Sequence, residues 1–136
     1  MKKITLGMIL MGMMLFGFDI KVTAIDIPNS KGKIYIGLFN KAQGFREVNK
    51  TFKQMSMQID SSRVSYTFHN IPKGTYAISI FHDANNNGKL DTNFLGIPKE
   101  AYGFSHNIRH IMRATSYNEA KFVLGKDQEF IIKVGK

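Results

Sequence analysis

In QMSMQID, Gln54–Asp60, Met55, Met57 and Ile59 fall on every second position, with polar residues between them. A period of two puts alternate side chains on opposite faces of an extended chain, the signature of a strand with one face buried. The same alternation recurs in short runs along the chain, and each run is stopped by a turn. FDIKVTAIDI (Phe18–Ile27) sets Ile20, Val22 and Ala24 against Lys21 and Thr23, and PNSKG follows it. KIYIGLFN (Lys33–Asn40) is rich in β-formers. KAQGFREVNKTF (Lys41–Phe52) reads as a polar connection with room for a helical turn. RVSYTFHN (Arg63–Asn70) places Val64, Tyr66 and Phe68 on one side. IPKG is a Pro-x-Gly turn, and TYAISIFHD (Thr75–Asp83) puts Tyr76, Ile78 and Ile80 on one face. AKFVLG (Ala120–Gly125) and QEFIIKV (Gln128–Val134) close the chain, with Gly125-Lys126-Asp127 read as a hairpin turn between them.

Short strands at this spacing, with turns of Gly, Pro and Asn, predict an all-β chain. The expected fold is a single antiparallel β-sandwich of about seven strands, immunoglobulin- or prealbumin-like. A long segment from Ala84 to about Tyr117, dense in Asn and Gly, forms the loop between the fifth and sixth strands. Loops of that length in compact domains are functional or disordered. The Met55/Met57 stripe and the aromatic stripes read as core faces.

The first 17 residues, MKKITLGMILMGMMLFG, have the layout of a secretory signal. Lys2 and Lys3 form the basic region, and the uncharged apolar run Ile4–Phe16 is too short to span a bilayer. The domain is therefore expected over residues 18–136, exported to a periplasm or the exterior, with membrane association only through the leader. Val22-Thr23-Ala24 offers an alternative cleavage point, but cutting there would delete most of the first strand; a cut near Gly17 is preferred. The full chain carries +9; losing Lys2 and Lys3 leaves 17 basic against 10 acidic residues, or +7. The lysines are scattered, with no basic run beyond a pair. Together with export, this argues against nucleic acid; the charge suits anionic envelope surfaces or serves solubility alone, and the partner expected is an unidentified envelope or extracellular one. There is no cysteine, so the domain has to hold by its core alone, and a monomer is expected.

The one stretch that looks like chemistry is DANNNGKLD, Asp83–Asp91. Counted from Asp83, Asn85 and Asn87 are at positions 3 and 5, Gly88 is at position 6, Lys89 offers a carbonyl at 7, and Asp91 is at 9. Alternate residues on a tightly wound loop turn their oxygens towards one cation, and this matches three-quarters of an EF-hand-type calcium loop. Position 12 is Phe94 where a bidentate glutamate belongs, so Glu100 would have to fold back and complete the shell. With so few carboxylates, affinity falls in the range of about 10⁻⁴–10⁻³ M. The competing reading is a plain turn, because Asn87-Gly88 is a strong hairpin signal and the asparagines can cap it themselves. Both readings stand at this level.

From Gly74 to Phe104 the chain resembles the signature of a bacterial exported family known as domain of unknown function 2141. The run HDANNNGKLD followed by LGIPKEAYGFS carries the likeness, with KGKIYIGLFN and NEAKFVLG supporting it. His82, Asp83, Asn85, Asn87, Gly88, Asp91, Gly96, Pro98, Glu100, Gly103 and Ser105 match its pattern, whereas His106 stands where an asparagine is expected. The resemblance implies a secreted or periplasmic β-sandwich, akin to spacer and adhesive modules, and strengthens the ion reading because Glu100 falls in the same block.

Other residue patterns are less specific. His82 reads as a strand-end histidine hydrogen-bonded to the loop. His106 and His110 would form a metal pair if a helical turn joined them. Ser105-His106 lacks a nucleophile-elbow context. Asp83, Asp91 and Glu100 could serve as catalytic carboxylates. An alternative to the ion-ordered module is thus a small hydrolase or ligand-binding domain whose pocket is the 82–106 loop, flanked by His82, Glu100, Tyr102 and His106.

Overall fold

The computed structural model describes residues 17–90, 92–94, 99–110 and 112–135. Residues 1–16 of the leader expected over 1–17, and the expected ligand Asp91, lie outside them. The strands are β1 (Phe18–Ile25), β2 (Lys33–Phe39), β3 (Lys53–Gln58), β4 (Val64–Ile71), β5 (Gly74–Asp83), β6 (Tyr102–Phe104), β7 (Phe122–Leu124) and β8 (Gln128–Lys133). Among the described residues, one four-residue helix, α1 (Tyr117–Ala120), and 3-10 turns at Val48–Lys50 and Ser105–Asn107 complete the secondary structure.

Two sheets form a sandwich, one ordered β4-β1-β8 and the other β3-β2-β5-β6, with β7 also on β5. The all-β sandwich expected from the alternation is therefore what the chain forms. Between the sheets lie the inward residues of each strand. Ile20, Val22 and Ala24 of β1, Ile34, Ile36 and Leu38 of β2, and Ile78 and Ile80 of β5 are all fully buried. Each such Ile, Val or Leu stabilises the fold by about 1.5–3 kcal/mol through the apolar surface it removes from water.

Four expectations are corrected. β7 and β8 do not form a hairpin: β7 pairs with β5 and β8 with β1, so Gly125-Lys126-Asp127 carries the chain from one sheet to the other. The β1–β8 pair is parallel, with Ile20 opposite Gln128 and Ala24 opposite Ile132, so the sandwich is not wholly antiparallel. The stretch after Ala84 is not one loop, because β6 adds three residues to β5 within it. The Met55/Met57 stripe is only partly core. β3 ends its sheet, and there Met55 is half-buried and Met57 is 39% exposed.

The larger sheet also buries its outer face. Phe39, Ala77, Phe81, Tyr102 and Phe104 point away from the sandwich interior and are covered by Phe45, Tyr117 and Ala120. Phe45 meets Phe39 and Tyr117 edge-on, at ring centroid distances of 5.1 and 5.7 Å. The connection after β2 and the segment from β6 to α1 are thus held to the sheet by a second aromatic core. Eight successive residues of β5, Tyr76–Asp83, are buried as a result.

The lateral edges are treated unequally. At β8, the Asn107 side-chain amide donates to the Ile131 carbonyl (3.0 Å) and accepts the Lys133 N–H (2.9 Å), standing in for a neighbouring strand. His106 and Asn107 take positive φ, 67° and 55°, to present it. Gly103 lets β6 pass this edge, since a Cβ there would lie 2.4 Å from the Lys133 carbonyl oxygen. The Gln128 side chain donates to the Val123 carbonyl of β7. β4 carries a bulge: Ile20 faces Phe68 while Phe18 faces Ile71. Asn70 is left-handed (φ 55°) and its N–H donates to the Asp19 carboxylate.

Candidate functional site

β5 delivers Asp83 to the mouth of the 84–101 loop, paired with Lys33 of β2 and only 4% exposed. The turn before β2 is pressed against this strand end. Gly32 (φ 68°) comes so close that a Cβ would clash with the Asp83 carbonyl oxygen, and His82 donates its Nε2–H to the Lys31 carbonyl at 2.5 Å. The imidazole of His82, a residue 3% exposed, therefore bonds to the preceding turn rather than to the loop that follows it.

The loop winds around the Asp83 carboxylate. Oδ1 accepts the Asn87 N–H at 3.1 Å and Oδ2 the Gly88 N–H at 2.8 Å. Asn85 Oδ1 accepts the same Asn87 N–H at 3.2 Å, so two side-chain oxygens converge on one donor. Asn87 Oδ1 in turn accepts the Lys89 N–H at 3.1 Å. Positive φ at Asn86 (56°) and Gly88 (76°) tightens the winding, as Asn and Gly permit. On the return path, Glu100 Oε2 accepts the Ala84 N–H at 3.2 Å and the Ala101 carbonyl accepts the His82 N–H at 2.9 Å. Five of the six expected ligands, Asp83, Asn85, Asn87, Lys89 and Glu100, thus belong to one hydrogen-bonded unit. Asp91 is the sixth. Phe94, at the position where the glutamate would close the loop, is 96% exposed.

Chemically, this is a ring of hard oxygen acceptors currently satisfied by the loop's own N–H groups. A carboxylate or amide oxygen accepting one N–H keeps a second lone pair, so a hard cation can add to such a ring without first breaking it. Among the described residues, no three His, Asp or Glu side chains are grouped to hold a metal ion. A cation here would lean on amide and backbone oxygens.

The alternative pocket residues face different surroundings. Tyr102 lies under the Arg109 guanidinium, 4.1 Å from the ring centroid. His106 bonds the Lys121 carbonyl (2.9 Å) and packs on Phe122 and Phe130. His110 donates to Glu119 (2.5 Å). No helical turn joins the two histidines, because the chain is left-handed at His106 and extended at Ile108. Ser105, fully buried, donates to the Ala120 carbonyl (2.6 Å) and accepts the Ile78 N–H (3.0 Å).

Two features escaped the sequence reading. Glu119 gathers Arg113, His110 and the Ser116 N–H and hydroxyl around one carboxylate, and the S-x-x-E spacing of SYNE announces the capping box at its centre. The other is a pair of clefts beside Arg46, of about 440 and 390 Å³. The first runs from Phe45 to Thr115–Asn118 and the second from Arg46 and Glu47 to Gly88–Leu90. Arg46 is half-buried at φ 80°, and that burial lowers its guanidinium pKa, with Glu47 opposing. Nothing in the residue types of this stretch signals the site, and the positive φ of Arg46 appears only in the folded chain.

A family model described as an uncharacterized protein conserved in bacteria (DUF2141) matches residues 22–132. No curated protein and no solved structure matches the chain.

Proposed function

We propose that this chain, which belongs to the DUF2141 family of bacterial proteins, is an exported β-sandwich module whose Asp83–Asp91 loop is ordered by a weakly held calcium ion. Its role is structural or interaction-supporting at the cell envelope. Asp83, Asn85, Asn87 and Asp91 would supply side-chain oxygens, Lys89 a carbonyl and Glu100 a closing carboxylate. The observation that carries this reading is the convergence of Asp83 Oδ1 and Asn85 Oδ1 on the Asn87 N–H, with Glu100 tied to the first residue of the same loop. The positive balance that remains without the leader lysines suits an anionic envelope partner. The hydrolase or ligand-binding alternative has less support, since His82, Tyr102 and His106 each turn to a different neighbour.

The test is thermal unfolding of the chain from Phe18, in chelator and in calcium up to 10 mM. With a Kd of about 1 mM, mass action adds about 1.4 kcal/mol at 10 mM. That raises Tm by roughly 4–8 °C for a domain of this size. Asp83→Ala is expected to abolish the rise and Glu100→Gln to reduce it, whatever their starting Tm. A flat calcium series in the wild type would leave DANNNGKLD a turn.

A further inference from the structure

Most strand edges of this sandwich are closed. Asn107 covers β8, Gln128 reaches β7, β6 bridges to Gly135, and a bulge blunts β4. β3 has none of these devices. It pairs with β2 on one side only, and among the described residues no side chain bonds to its outward backbone groups. Its six residues carry one charge, Lys53, and no proline. An unprotected edge strand of this kind is a template for strand addition.

The occupant is written into its sequence. Gln54-Met55-Ser56-Met57-Gln58 reads the same in both directions about Ser56. We infer that β3 is the self-association edge of this protein, pairing antiparallel with β3 of a second copy about a two-fold axis at Ser56. A two-fold interface is self-complementary by construction, so each residue has to suit its symmetry mate. Here Ser56 faces Ser56, Met55 faces Met57 and Gln54 faces Gln58. Directly opposed side chains are the stabilising unit of a strand pair, and these pairs match in size and polarity. Met55 and Met57 share the face of Ile36 and Ile34, so the pairing extends the sandwich interior and covers the exposed Met57. On the other face, the Tyr35 and Thr51 hydroxyls hold Gln54 Oε1, which presets that side chain. The two Lys53 residues fall at opposite ends of the pair, roughly 20 Å apart, beyond the Debye length of about 8 Å. This inference does not depend on the calcium reading, and it replaces the monomer expected from sequence. An interface of one strand is small, so a dimer half-formed at roughly 0.1 mM is expected.

The experiment is sedimentation equilibrium of the chain from Phe18, between about 10 µM and 1 mM. The weight-average mass of the wild type is expected to rise from about 1.15 to about 1.8 times that of the monomer across that range, by mass action. Ser56→Lys opposes two like charges on the axis and is expected to remain monomeric at 1 mM with an unchanged Tm. The absence of native cysteine allows a second, covalent readout. Mild oxidation of Ser56→Cys is expected to give a disulfide-linked dimer, and Gln54→Cys, offset from its own mate, none. A wild type that stays monomeric to 1 mM, a Ser56→Lys variant that dimerises normally, or equal cross-linking of both cysteine variants would each overturn the proposal.

Discussion

Ser105 offers a sharp test of the structural reading, because its hydroxyl is the one serine oxygen that could be mistaken for a nucleophile. β6 pairs with β5 at Ser79–Phe81 and β7 pairs at Gly74–Tyr76, which leaves Ile78 between them. The Ser105 hydroxyl fills that gap by accepting the Ile78 N–H, and it donates a hydrogen bond to the Ala120 carbonyl at the end of α1. Ser105→Ala removes one oxygen and orphans both groups within fully buried residues. Leaving a buried polar group unpaired costs about 1–3 kcal/mol, so a total loss of about 2–4 kcal/mol is expected. For a domain of this length that lowers Tm by roughly 10–15 °C. Ser65→Ala is the control. Its hydroxyl pairs with Thr23 in a partly buried position, so its removal should cost about 1 kcal/mol or less. Calorimetric melts of the three proteins decide the matter. A Ser105→Ala Tm within about 3 °C of wild type would refute the bridging role and return Ser105 to the candidates for chemistry.

Two further outcomes follow from the same geometry. A chain beginning at Ile25 loses the central strand of the β4-β1-β8 sheet, with Ile20, Val22 and Ala24 all fully buried, whereas a chain beginning at Phe18 keeps it. The shorter chain is expected to show no cooperative unfolding transition by circular dichroism, and a normal melt from it would contradict the assigned sheet order. The Glu119 carboxyl is held well below the usual carboxylate range, chiefly by Arg113, then by the Ser116 N–H and by His110. A carboxyl depressed in the folded state contributes stability that is present above its unfolded pKa, about 4.3, and lost as pH falls towards the folded value. Wild type should therefore exceed Glu119→Gln in denaturant midpoint at pH 7, and the gap should narrow progressively as pH falls below about 4. A gap independent of pH would mean that the carboxylate's charge is not what ties Arg113 and His110 to α1.

The strands were legible because a two-sided sheet writes burial into alternate residues. β1 and β4 show it, even where Tyr66 sits at a rim and remains 37% exposed, whereas β2, buried on both faces from Ile36 to Phe39, was legible from its β-formers. β6 was not legible, since three residues are too few to establish a period. The outer core was hidden for a different reason. On β5 that face reads Ala77, Ser79, Phe81, and the residues that cover it, Phe45 and Tyr117, come from distant connections with no periodicity. The supposed hairpin at Gly125–Asp127 failed because turn chemistry is local, while the choice of neighbour is made by which sheet needs an edge. In the loop, the oxygen spacing from Asp83 to Asn87 was readable residue by residue. The return of Glu100 to Ala84 was not, because chain reversal over 16 residues depends on β6 and Ala101 binding back to β5.

The parallel pairing of β1 with β8 has a kinetic meaning. Ile20 waits for Gln128 and Ala24 for Ile132, so the middle strand of one sheet acquires its second neighbour only when the last strand arrives. Closing such a distant pair costs chain entropy before any contact rewards it, which makes folding slow relative to a fold built from hairpins. Under the export proposed above, the β4-β1-β8 sheet of a chain crossing a membrane N-terminus first would stay incomplete until its final strand had been delivered.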